Sequence, residues 1–211
     1  MKAPWKLHDK TPKDLLVDIL LEIPSLYEGI DELEGKERFN LAFRQELQEA
    51  ARGAITRLLQ WAAKFGISVD LSRPDWQSPR SFTNDEIANV HLMSFYWATL
   101  MIAHHSYRMI SHEEPNTLGI DVDNCCRKII RCIALFVHPS TGIFRQHLMP
   151  FPAMTAIQHL NSAHPLTLKP EREYLLSIST MPEFAGMCKF MTSLHPELFV
   201  GSGGIKIELE K

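Results

Sequence analysis

Ten histidines and four cysteines are the side chains in these 211 residues best suited to chemistry, and their spacing decides which chemistry is open to them. His104 and His105 are adjacent. Successive helical positions point about 100° apart, so the pair cannot close on one ion as i, i+4 residues do. One is expected to face a core and the other water. His138 and His147 flank the turn-forming Pro139-Ser140-Thr141-Gly142 and read as loop histidines. Cys125, Cys126 and Cys132 fall on one apolar segment beside Arg127, Lys128 and Arg131. Positive neighbours would lower a thiol's pKa and favour a nucleophile or redox group. The Cys-x-x-Cys spacing of a zinc ribbon or dithiol centre is absent, however, and the expectation is reduced, buried, packing thiols in a reducing compartment. Neither His-Glu-x-x-His, a di-iron Glu-x-x-His, an aspartate cluster for magnesium, Gly-x-Ser-x-Gly, a P-loop nor a dinucleotide fingerprint occurs. No catalytic residue, metal site or cofactor is assigned.

What the sequence does offer is a soft interior. Met93, Phe95, Tyr96, Trp97 and Met101 lie on one apolar segment and match in character Met149-Pro150-Phe151-Pro152 and Met187/Met191. Nine methionines and eleven phenylalanines make an adaptable core that could enclose a small apolar ligand. The candidate ligand-binding residues are Phe95, Tyr96, Met101, His104, Cys132, Met149 and Phe151. The competing reading of the same residues is a filled core.

The elements that must position them are helical. Thr11-Pro12-Lys13-Asp14 combines an N-cap threonine, a first-turn proline and a first-turn acid, and Leu15, Leu16, Ile19, Leu20 and Ile23 follow at helical spacing. Pro24 is expected to end or bend that helix, and Gly29 to Gly35 reads as an acidic linker. Phe39, Phe43, Leu47, Ala50, Ala51, Ala54, Ile55, Leu58, Ala62 and Phe65 then recur at three- and four-residue steps, with Gly66 at the C-cap position. They predict a long helix over about 36–65. Residues 68–80 read as a loop. Thr83-Asn84-Asp85-Glu86 is a capping box opening a second long helix to about residue 111, apolar nearly all round and therefore central. Asp121 or Asp123 caps the next helix, with Cys126, Ile129, Ile130, Ile133, Leu135 and Val137 inward. Helices follow from Phe151-Pro152, from Lys169-Pro170-Glu171 and from Met181-Pro182-Glu183.

Composition supports this reading and narrows the partners. Apolar residues make up 45% and charged residues 22%, as in a globular domain, and the net charge is −3. Lysine and arginine are dispersed, without the clustered basic excess that neutralises phosphates, so direct nucleic-acid contact is not expected. No apolar run approaches the roughly 18 residues of a membrane helix, and no charged-then-apolar leader opens the chain, so no membrane association is expected either.

Several short motifs carry a family resemblance. Asn124-Cys125-Cys126-Arg127-Lys128-Ile129-Ile130-Arg131-Cys132-Ile133, then Gly142, then Met149-Pro150-Phe151-Pro152-Ala153-Met154-Thr155-Ala156, then Glu173-Tyr174-Leu175 with Ile178 and Met181, resemble the C-terminal part of the fungal-specific transcription factor domain. Phe95-Tyr96-Trp97-Ala98-Thr99-Leu100 is similar to that family's Tyr-Trp-Ala helix, and Pro12 to Pro24 to its leucine-rich helix ending in Leu-Pro. The resemblance implies a helical regulatory module in the nucleus, modulating transcription through protein contacts and, in a sterol-sensing relative, a small apolar ligand. The family's six-cysteine zinc cluster, which reads DNA, is not among these residues. The chain is expected to be either a C-terminal piece of a longer factor or a stand-alone regulatory region.

The expectation is thus an all-α, single-domain irregular bundle of about seven helices over 1–199 with a flexible tail at 200–211. It would act through a protein partner or as a homodimer, dimerisation falling to the Phe39 to Phe65 stripe. The alternative is a small helical enzyme or metabolite-binding protein of secondary metabolism, cytoplasmic, using His104 or His105 with an acid as general acid/base.

Overall fold

The computed structural model describes residues 9–35, 37, 39–66, 82–111, 118–164, 166–179 and 189, with backbone alone at 140, 143–146 and 179. The protein is all-α, and no strand occurs among the described residues. In chain order the helices are α1 (Pro12–Leu20), α2 (Ile23–Glu34), α3 (Leu41–Phe65), α4 (Asn84–Ile110), α5 (Val122–Val137), α6 (Arg145–Leu148), α7 (Pro150–Ser162) and α8 (Lys169–Ser179), with a 3-10 stretch at Pro139–Phe144 between α5 and α6. No described helix is long and apolar enough to cross a membrane. The loop expected at 68–80, the helix expected after Met181, the tail at 200–211 and Cys188 lie outside the described residues.

Local chemistry sets the helix ends. Thr11 and Asp14 form a reciprocal capping box at the start of α1, and the hydrogen bonds from the Thr11 hydroxyl and backbone N–H hold the Asp14 carboxyl below its ordinary range. Thr83 and Glu86 do the same for α4: the Thr83 N–H donates to Glu86 and the Glu86 N–H donates to the Thr83 hydroxyl. Gly66 ends α3, where a Cβ would collide with the Ala62 carbonyl oxygen. Gly142 has φ +54, a backbone conformation open to glycine at little cost.

Three expectations change. Residues 29–35 are not a linker: Ile23, Leu26, Ile30 and Leu33 are buried at helical spacing, so α2 runs to Glu34. Pro24 sits in the first turn of α2, where its missing N–H costs nothing, and the break falls at Leu21-Glu22. The long helix expected from residue 36 starts at Leu41, because the Asn40 side chain caps it by accepting from the Phe43 N–H.

The residues gather into two compact units. The first comprises Met1–Ser68 and Thr99–Asp121. Within it α1 and α2 pack on α3, burying Leu16 and Ile19 of α1, the four α2 positions above, and Ala51, Ala54, Ile55, Leu58 and Trp61 of α3. Burying a leucine or isoleucine completely, as at Leu16, Ile55 and Leu58, contributes about 1.5–3 kcal/mol each. Polar ties fix the helices. Trp61 Nε1 donates to the Pro12 carbonyl at 2.7 Å. The Tyr107 hydroxyl accepts from Arg52 at 2.9 Å and Gln48 at 3.3 Å, and Arg44 donates to the Ile110 carbonyl at 3.0 Å. The central part of the α3 stripe is thereby turned into this unit, while Phe39 stands outside the helix and exposed.

The second unit comprises Val69–Ala98 and Val122–Lys211. Here α5 packs against α6, α7 and α8. Ile129, Ile130, Ile133 and Phe136 are fully buried, as are Ala153, Ala156 and Leu160 of α7 and Ile178 of α8. Thr141 Oγ1 lies 2.7 and 2.6 Å from the carbonyl oxygens of Phe136 and His138, where its hydroxyl caps the end of α5.

Candidate functional site

In the second unit, the first half of α4 lines up an aromatic row. The Phe95 and Phe151 ring centroids are 4.9 Å apart and tilted by 43°. The His91 ring stands 6.1 Å from Phe95 and edge-on to Phe136 at 6.3 Å, and Phe82 meets His138 edge-on at 5.1 Å. Such offset and edge-to-face arrangements match the quadrupoles of the rings. Phe95, Phe151, His91, Phe82 and His138 are half-buried, whereas Tyr96, Trp97 and Met93 on the same helix are buried. Lys128 of α5 stacks its ammonium 5.3 Å from the Trp97 ring centroid.

The structure therefore brings Phe95 into direct contact with Phe151 and keeps both partly open to solvent. Tyr96 is buried nearby, its hydroxyl pushed up to about 12 by burial and secondarily by the neighbouring Cys125 thiol. Cys132 is fully buried, and burial drives its thiol well above the ordinary range. Met149 is buried immediately before α7. These five candidates belong to the second unit. Met101 and His104 are buried as well, but on the part of α4 that belongs to the first unit. His104 is buried and His105 exposed, the split that adjacent helical positions require.

The thiols are packing groups. Cys125, Cys126 and Cys132 are buried thiols. The Cys126 thiol donates to the Ala156 carbonyl at 3.8 Å, tying α5 to α7. Burial raises its pKa far above the ordinary value, helped by Asp123, Glu171 and Cys125, and Arg172 works the other way without reversing it. At Cys126 and Cys132 desolvation holds the thiol protonated, and the basic neighbours read from the sequence are not what sets their titration. Lys128 lies over Trp97 and Arg127 pairs with Glu171 at 3.0 Å.

A polar corner joining α5, α7 and α8 was not readable from spacing. His159 Nε2 and Asp123 Oδ1 are 2.7 Å apart. The buried Arg172 guanidinium donates to the carbonyls of Leu160, Ala163 (3.2 Å) and Thr167 (3.2 Å), satisfying the end of α7 and the turn that follows it. Leu168, in that turn, is buried at φ +52, an unusual conformation for a residue with a Cβ. Among the described residues no three His, Cys, Asp or Glu side chains group as metal ligands. His147 is exposed.

Neither a protein-family model, nor a curated protein, nor a solved structure matches this chain.

Proposed function

We propose that the chain is a regulatory and interaction domain of the fungal transcription-factor type, acting through protein contacts and through a small apolar effector held at the aromatic row. One observation carries the reading. The groups most capable of chemistry are occupied in packing: thiols sealed in α5, a guanidinium closing α7, and a histidine held on an aspartate. The motifs behind the resemblance also fall on helices in a consistent way. Phe95-Tyr96-Trp97-Ala98 lies within α4, Phe151-Pro152 in the first turn of α7 and Tyr174-Leu175 within α8.

The effector would lie against Phe95 and Phe151, the two candidate side chains that touch each other while keeping solvent exposure. A flat or branched apolar molecule gains from covering half-buried rings, at about 25 cal/mol per Å² of apolar surface removed from water. Two measurements test the two halves of the reading. Fused to a heterologous DNA-binding domain, the chain is expected to change transcription of a reporter. In a thermal-shift screen of sterols, fatty acids and polyketides, at least one class is expected to raise the melting temperature, and Phe95→Ala/Phe151→Ala to abolish that rise. A reporter left unchanged removes the regulatory reading, and no stabilisation by any class removes the effector.

A further inference from the structure

We draw no further inference here: the strongest candidate, the surface patch formed by the exposed side chains of Phe39 and Leu41 at the start of α3, carries none because nothing in the structure shows what covers it.

Discussion

The two units solve the same problem, holding helix ends together, with opposite use of polarity. In the first, most of the ties start from side chains that reach toward solvent: Arg52 and Gln48 onto the buried Tyr107 hydroxyl, Arg57 to Glu22, and Lys10 to Asp18. In the second, the corresponding groups are sealed: Arg172 is buried among three carbonyls, the Cys126 thiol is closed against Ala156, and Tyr96 and Cys132 are buried. The apolar residues left outside divide the other way. Among the described residues Leu21, Phe39, Leu41, Leu59 and Met109 belong to the first unit, and Leu166 and Leu176 to the second. The ties named for the second unit lie out of water's reach, and most of those named for the first stand at its surface.

Removing Arg172 should break that contrast most severely. Arg172→Met keeps a long apolar stem but leaves the carbonyls of Leu160, Ala163 and Thr167 without their donor. The expected cost is about 2–3 kcal/mol in urea unfolding, with hydrogen-exchange protection falling first at the end of α7 and in α8. Unchanged stability would mean that water serves the turn as well as the guanidinium does.

Alkali should separate the units next. Tyr96 and Tyr174, both in the second unit, hold their protons up to about 12 because burial penalises the phenolate. In the unfolded chain they ionise near 10. Their contribution is therefore fully present below pH 10 and is lost as pH rises from about 10 to 12. It amounts to about 1–2 kcal/mol for the pair once the remaining ring exposure is discounted. Cys126 and Cys132 act in the same direction, starting from the lower ordinary value of a thiol. Exchange measured from pH 9 upward should show α5, α7 and α8 losing protection before α1, α2 and α3, and the reverse order would refute the contrast.

The smallest of these effects belongs to the first unit. Trp61→Phe keeps most of the buried ring and deletes the hydrogen bond to the Pro12 carbonyl. A loss of about 1 kcal/mol is expected, localised to α1 in hydrogen exchange.

Much of this architecture was legible because its signals are local. Thr11 with Asp14 and Thr83 with Glu86 announce helix starts through chemistry confined to four residues. The failure at α2 is instructive. Ile23, Leu26, Ile30 and Leu33 carried the helical period, but Gly29 and the acidic run between them suggested a linker, and burial on α3 outweighs that local preference. In the candidate site, the contact of Phe95 with Phe151 agrees with two motifs read separately. No spacing rule could join Asp123 to His159, or Arg172 to the end of α7, since those pairings exist only once the helices have packed. The exposure of Phe39 was equally hidden, because its place in the apolar period extended a helix that Asn40 instead begins.

The sealed thiols of α5 have a practical consequence. Three cysteines that alkylating reagents reach only when their surroundings part make the second unit its own stopwatch. Pulses of such a reagent, read by mass, would time how often that interior opens, without a label having to be built in.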